Sequence, residues 1–195
     1  RRMGAFYGWY FQYMPIGRNP SMDLLVTPEQ RRAMLERIWK LVIGEKVFIA
    51  DFWNSGTASD GCMAAARGGG YFYVMWDGTV TPCVFIPFRS RQDGNLHRLY
   101  AEGKTVTDAI RSPLFTEIRA WQDAYWINQP PQKCGNLLTP CIIRDNCADF
   151  REIVRKTDAE PVDEGASCYL GLVESGRMPE YNRRYRELVS PVWER

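Results

Sequence analysis

The residues of this 195-residue chain that are best suited to chemistry are its six cysteines. They are Cys62, Cys83, Cys134, Cys141, Cys147 and Cys168. All six follow residue 56, and their restriction to this part of the chain indicates that they share a common local role. Four explanations fit such a group: thiols buried in the core, disulfides, a zinc site or an iron–sulfur cluster. Disulfides are the least favoured, because nothing in the sequence indicates an oxidising compartment.

Three of the cysteines stand in turn settings. Cys62 follows an Asp-Gly pair, and Cys83 and Cys141 each follow a proline. Backbone amides in tight turns can donate hydrogen bonds to metal-bound sulfur, and proline stiffens a ligand loop, so these positions suit thiolate ligands. A core role stays open for each cysteine taken singly, since free cysteine is among the most buried residue types.

Cysteine spacing leaves zinc open as the alternative metal. Six residues separate Cys134 from Cys141 and five separate Cys141 from Cys147, whereas structural zinc sites usually use pairs about two to four residues apart. His97 is the only histidine, and a lone histidine is more often structural. Dispersed cysteines fit a cubane cluster in a loop-built cavity better than a zinc knuckle, but spacing alone does not decide.

The elements that would position these thiols begin with a βαβ unit. The aromatic-rich segment 4–17 favours a strand. Thr27 and Gln30 form a predicted capping box with a proline at the first helical position, and apolar residues at helical spacing continue to Gly44. The nearly continuous apolar run 47–53 predicts a second strand, buried on both faces of a parallel sheet.

A change to small and polar residues at 54–61 predicts a domain boundary. We therefore expect an α/β part at 1–56, a cysteine-bearing α+β part at 57–175, and a charged, aromatic tail at 176–195. The second part opens with a predicted hairpin over 71–83, turning at an Asp-Gly pair.

Helices and loops follow the hairpin. Residues 107–123 predict a helix that Ser112 and the following proline either break or restart. Residues 128–141 are rich in Pro, Gln and Asn and predict a loop, and 149–156 predict a short helix.

Composition and charge limit the classes of function. The chain is 45% hydrophobic and 25% charged, which is ordinary for a globular protein. A net charge of +2 gives no basic footprint for nucleic acid, and no apolar run approaches the roughly 20 residues of a membrane span. We expect a cytoplasmic protein with no nucleic-acid partner and no membrane span. The aromatic strand at the very start leads us to expect the C-terminal part of a longer protein.

Six segments resemble radical S-adenosylmethionine enzymes with a SPASM or twitch-type auxiliary-cluster domain. The first three resemble the junction between the barrel and the C-terminal extension, and the last three resemble that extension in the same order. The six segments are DFWNSG at 51–56, GCMAAAR at 61–67, DGTVTPCVFI at 77–86, GNL at 94–96, SPLF at 112–115 and LTPCIIRDN at 138–146. Gly78 and Cys83 match the Gly-x4-Cys hairpin of that family. The ordered series is more specific than any one motif.

The resemblance implies a fold that is α/β followed by α+β: late βα units of a partial TIM-like barrel, then a small hairpin-and-helix domain. It also implies that Cys62, Cys83 and Cys141 are ligands of an auxiliary [4Fe-4S] cluster. Cys134 and Cys147 are further candidate metal ligands. The chain departs from the full SPASM pattern, which has a seventh cysteine and a Cys-x2-Cys pair, so we expect a three-cysteine site with one iron open.

The implied function is that of a radical S-adenosylmethionine oxidoreductase fragment acting on a small molecule or peptide, with a reductant protein such as ferredoxin or flavodoxin. The Cys-x3-Cys-x2-Cys motif is not in this sequence, so S-adenosylmethionine and the second [4Fe-4S] cluster belong only to a full-length protein. The alternative is a zinc-stabilised binding module without catalysis, built on Cys134, Cys141, Cys147 and one distant cysteine, and a third interpretation is a structural protein with inert buried thiols. Arg67 could bind a carboxylate or phosphate near the cluster or form a surface salt bridge.

Overall fold

The computed structural model describes residues 4–5, 7–51 and 56–194. Its first part is a βαβ unit, as predicted. Strands β1 (Tyr7–Tyr10) and β2 (Phe48–Asp51) lie on either side of helix α1 (Pro28–Gly44) in the chain. The strands pair in parallel, with Tyr7 opposite Phe48 and Tyr10 opposite Asp51.

Helix α1 begins at the predicted capping box. The Thr27 hydroxyl accepts a hydrogen bond from the backbone N–H of Gln30, and the Gln30 side chain accepts one from the backbone N–H of Thr27. This exchange satisfies two N–H groups that the start of a helix leaves without partners. The helix ends at Gly44, also as predicted.

The prediction that the second strand is buried on both faces is wrong for the described residues. Phe48 is 62% exposed, and Trp9 on the neighbouring strand is 60% exposed. The reason is that β1 and β2 form a sheet of only two strands among the described residues, so the flanking cover of a parallel sheet is lacking there. The end of the predicted run, 52–53, lies outside the described residues.

The cysteine-bearing part contains two short antiparallel pairs. Strands β3 (Tyr73–Val74) and β4 (Val80–Thr81) form the predicted hairpin. Strand β5 (Phe88–Arg89) pairs with β6 (Glu160–Pro161), which comes much later in the chain. The second pair was not predicted, because two residues per strand leave no alternation to detect.

Helices α2 (Leu96–Ala101), α3 (Val106–Ile110) and α4 (Pro113–Gln122) follow β5. The restart at Ser112 is confirmed, with proline at the first position of α4. The Ser112 side chain makes no capping hydrogen bond to the helix, and its hydroxyl instead accepts a hydrogen bond from the Ser90 hydroxyl at 2.6 Å. A single π-helical turn, Asp123–Ile127, extends α4.

Three further helices complete the chain. Helix α5 (Cys147–Lys156) begins two residues before the predicted start, and α6 (Glu164–Glu174) was not predicted. The segment expected to be a tail forms α7 (Arg177–Trp193), which packs against α1 and α6. None of the helices in the described ranges is long and apolar enough to cross a membrane.

One main core joins the two parts of the chain. Met14 and Leu25, from before the predicted boundary, pack in the same cluster as Phe88, Phe115 and Phe150. A smaller core between α1 and α7 contains Leu35, Leu138, Tyr185 and Val189. The loops that carry the cysteines are therefore supported by elements from both parts.

Candidate metal centre

Three cysteines from separate loops meet at one cavity. Cys62, Cys83 and Cys141 all line a cavity of about 40 Å³. The other lining residues carry no charge: they are Gly56, Ser59, Gly61, Met63, Ala64, Tyr71 and Pro140. The three thiols whose turn settings suggested metal ligation therefore share one location.

The loop that carries Cys62 is held by side chains that bind its backbone carbonyls. Arg67 donates to the carbonyl of Ser59 at 2.6 Å and to that of Cys62 at 2.7 Å. Gln122, buried on α4, donates at 3.0 Å to the carbonyls of both Cys62 and Ala64. Arg67 therefore binds backbone carbonyls of its own loop. The sequence analysis considered two other roles for it, binding an anion and forming a surface salt bridge.

The backbone of this loop is unusual. Asp60, Gly61, Ala65 and Ala66 have φ angles of 53°, 86°, 62° and 53°, all in the left-handed region. A Cβ atom on Gly61 would lie 2.2 Å from the ring of Trp126, so only glycine fits there. Left-handed conformations at residues other than glycine store strain, and such strain is concentrated at functional sites.

Cys83 lies in the turn after β4, where hydrogen bonds reach both its backbone carbonyl and its sulfur. The Thr81 hydroxyl donates to the Cys83 carbonyl at 3.0 Å, and the backbone N–H of Phe85 donates to Cys83 Sγ at 3.5 Å. The Tyr71 hydroxyl lies 2.8 Å from the same sulfur. The turn therefore fixes both the main chain of Cys83 and the surroundings of its sulfur.

Cys141 is held by an acidic residue four positions later. Its backbone N–H donates to Asp145 Oδ2 at 3.2 Å, and its carbonyl accepts from the backbone N–H of Asp145 at 2.8 Å. Asp145 forms a buried bidentate ion pair with Arg31 on α1, and the Arg31 guanidinium lies 3.7 Å from the ring centre of Tyr185 on α7. Two helices outside the cysteine loops thus anchor the third thiol.

Burial favours the protonated form of all three thiols. It raises the pKa of Cys62, raises that of Cys83 to about 12, and raises that of Cys141 well above its ordinary value. A negative charge on Cys62 raises the pKa of the other two further, because the three sulfurs are neighbours. Backbone hydrogen bonds at Ala64 and Ile142 oppose the effect of burial on the pKa of Cys62.

The donor set fits an iron–sulfur cluster. Three thiols, with backbone N–H groups directed at sulfur and a lining without charged side chains, are the ligands and surroundings that such clusters use. In the described ranges, no three His, Cys, Asp or Glu side chains are close enough together to hold a single metal ion. The thiolates of a cubane each bind a different iron, so they stand further apart than ligands of one ion.

The remaining cysteines lie elsewhere. Cys134 is half-buried in the 128–141 loop, with its Sγ 3.5 Å from the Gly135 carbonyl oxygen. Cys147 is buried at the start of α5, where Asn182 donates to its sulfur at 3.0 Å, and Cys168 is exposed on α6. None of the three lines the cavity, and all six cysteines are free thiols.

Neither His97 nor Asp51 lines the cavity. The ring of His97 packs over Gly78, where an added Cβ atom would lie 2.7 Å from the imidazole. Asp51 is buried at the end of β2. Residues 54–55 lie outside the described ranges, but Gly56, which follows them, lines the cavity.

Two site residues were not predicted from the sequence. Tyr71 touches the sulfur of Cys83, and Gln122 holds the Cys62 loop. Tyr71 lies in an aromatic run that predicts a strand, where a tyrosine at the site has the same signal as a tyrosine in the core. Gln122 is one polar residue on a mostly apolar helix face, which is a weak sign of a buried hydrogen bond.

Comparison with models of known protein families, with curated proteins and with solved structures found no match to this chain.

Proposed function

We propose that this chain is the C-terminal part of a radical S-adenosylmethionine oxidoreductase and that Cys62, Cys83 and Cys141 bind an auxiliary [4Fe-4S] cluster. The observation that carries the proposal is that these three thiols line one uncharged cavity. The motif series that resembles the family supplied the same three residues. Cys134 and Cys147 do not line the cavity and are not part of the proposed ligand set.

When bound, such a cluster supplies an electron carrier or an iron that can ligate substrate. The residues of this chain would hold it and shield it. Three cysteines leave one of four irons without a cysteine ligand, and that position is open to substrate or another ligand. The uncharged lining limits water near the sulfurs, and backbone N–H groups such as that of Phe85 stabilise thiolate charge.

The exposed strands in the first part of the chain support the proposal that this part belongs to a larger barrel. Parallel strands are normally covered on both faces, yet Trp9 and Phe48 are more than half exposed on β1 and β2. We propose that this pair continues a larger parallel sheet, with S-adenosylmethionine and its own [4Fe-4S] cluster held outside this sequence. The substrate would be a small molecule or a peptide, and a ferredoxin or flavodoxin would be the reductant.

The proposal is tested by anaerobic reconstitution of the whole chain with ferrous iron and sulfide. We expect a brown protein that holds about four iron and four sulfide per chain. Replacing Cys62, Cys83 or Cys141 by Ser should remove most of the bound iron and the visible absorption, because each replacement deletes one of three ligands. Iron and sulfide assays, with absorption spectra, measure the outcome.

Cys168→Ser is the matched control, since Cys168 is exposed and does not line the cavity. It should bind as much iron as the unchanged chain. Equal iron in all four variants would contradict the proposal. So would a colourless protein that takes up zinc and no iron.

A further inference from the structure

Tyr71 lines the cavity, and its side-chain hydroxyl contacts one of the cavity thiols. Its hydroxyl lies 2.8 Å from Cys83 Sγ, and its ring is half-buried. In the metal-free protein either atom can be the donor. A sulfur bound to metal has lost its proton and can only accept, so the tyrosine hydroxyl must then donate.

The position of this hydroxyl is fixed by the backbone of the neighbouring loop. The N–H of Tyr71 donates to the Met63 carbonyl at 2.8 Å, and the Tyr71 carbonyl accepts from the N–H of Ala66 at 3.0 Å. Both partners belong to the loop that carries Cys62. Tyr71 therefore connects the Cys62 loop to the sulfur of Cys83, and the hydrogen bond is built in before any metal arrives.

A hydrogen bond to a coordinating sulfur has a definite electronic effect. It withdraws negative charge from the sulfur and so stabilises the reduced, more negative form of a cluster. The reduction potential rises as a result. The effect is larger in a cavity without charged side chains, because the local dielectric is low.

We propose that Tyr71 is a positioning residue that acts through Cys83: its hydroxyl donates to the bound thiolate and raises the reduction potential of the cluster. The inference rests on the proposed function, because it needs a cluster on Cys83. It adds a role for a residue outside the ligand set, and it separates tuning of the cluster from binding of the cluster.

The test compares Tyr71→Phe with Tyr73→Phe in the reconstituted whole chain. Tyr73 is exposed on the same hairpin, so its variant is the matched control. Redox titration followed by electron paramagnetic resonance should give a lower midpoint potential for Tyr71→Phe, and an unchanged one for Tyr73→Phe. Electron–nuclear double resonance should also detect a proton coupling that exchanges in D₂O and disappears only in Tyr71→Phe.

The outcomes separate this inference from the proposed function. If the unchanged chain holds no cluster, the proposed function fails and this inference with it. If both variants hold a cluster at the potential of the unchanged chain, only the Tyr71 inference fails. If Tyr71→Phe alone loses its iron, the donor role is overturned, because the hydroxyl would then be required for binding.

Discussion

Ala65 and Ala66 hold consecutive left-handed backbone conformations three and four residues after Cys62. Each costs about 1–2 kcal/mol relative to an ordinary helical or extended backbone. Hydrogen bonds hold the pair in place: the Ala65 N–H donates to the Pro82 carbonyl at 2.8 Å, and Arg119 donates to the Ala65 carbonyl at 2.7 Å. The strained loop is therefore hydrogen-bonded to the turn that carries Cys83 and to helix α4.

Replacing Ala66 by glycine should stabilise the metal-free protein. Glycine adopts a positive φ angle without steric cost, and this relief exceeds the extra unfolded-state entropy of glycine by about 0.5–1 kcal/mol. Ala33→Gly is the control, because Ala33 is exposed in the middle of α1 and should lose about 1 kcal/mol. Urea denaturation measures both, and equal destabilisation would show that the Ala66 conformation is unstrained.

For single residues, the sequence indicated which cysteines could bind metal, but it did not indicate which side chains hold the cysteine loops in place. Cys62, Cys83 and Cys141 have glycine or proline neighbours that define rigid turns, and such turns are visible in sequence. Tyr71 and Arg67 act through contacts that only the folded loops create. A tyrosine near a thiol and an arginine that binds carbonyls have no local pattern to detect.

The ion pair between Arg31 and Asp145 connects elements that are distant in sequence. Arg31 lies on α1 and contacts the ring of Tyr185 on α7, while Asp145 holds the backbone of Cys141. Burial is the largest single effect on the pKa of Arg31 and lowers it, but the charge and hydrogen bond of Asp145 together with the nearby Tyr185 and Tyr181 raise it overall, so the guanidinium stays protonated. One side chain thus joins two helices to a cysteine loop.

Replacing Arg31 by methionine should lower the free energy of unfolding by about 3–5 kcal/mol, because it leaves the Asp145 carboxylate buried without its counter-ion. Arg155→Met is the control, since Arg155 is exposed and its pairs with Glu152 and Glu174 lie at the surface. That change should stay within about 0.5 kcal/mol. Chemical denaturation of the metal-free chain measures both values.

The double variant Arg31→Met with Asp145→Asn gives a second check. It removes both charges, so it should lose less stability than Arg31→Met alone. Equal loss in the single and double variants would mean that the unpaired carboxylate is not the source of the cost.

Elements with strong local signals were predicted well. Helix α1 has a capping box and a glycine end, and the β3–β4 hairpin has an Asp-Gly turn. Helix α7 was missed because its buried positions, Met178, Tyr181, Tyr185 and Val189, lie among many charged residues. Their spacing of three or four residues is helical, so the signal was present but diluted.

For the molecule as a whole, the most unusual surface is the aromatic face of β1 and β2. Tyr7, Trp9, Phe11 and Phe48 are each more than half exposed. Exposed apolar patches of this kind mark interaction surfaces or cause association. The chain on its own should therefore associate with itself as its concentration rises.

Replacing Trp9 and Phe48 together by serine should shift the chain toward the monomer, because it removes the two largest contributors to this face. Trp76→Ser is the control: Trp76 is 93% exposed in the turn between β3 and β4 and belongs to neither β1 nor β2. Sedimentation velocity over a range of concentrations measures the outcome. Unchanged association in the double variant would show that another surface is responsible.

Global properties were only partly accessible from the sequence. Charge and composition limited the classes of partner, but they did not reveal that Met14 and Phe88 share one core across the predicted boundary. A change in composition marks a loop, and the packing on either side of it depends on contacts between distant residues. The partial barrel remains a prediction, because a two-stranded sheet fits many larger folds.

The three cysteines that line the cavity emerge from the ribosome at different times during synthesis. Residue 62 emerges first, residue 83 soon after, and residue 141 only when most of the chain has been synthesised. Domains fold as units during synthesis, and the wall with Cys141 also needs α7 beside Arg31. The proposed cluster is therefore expected to be inserted only after synthesis, because the nascent chain presents the three thiols separately.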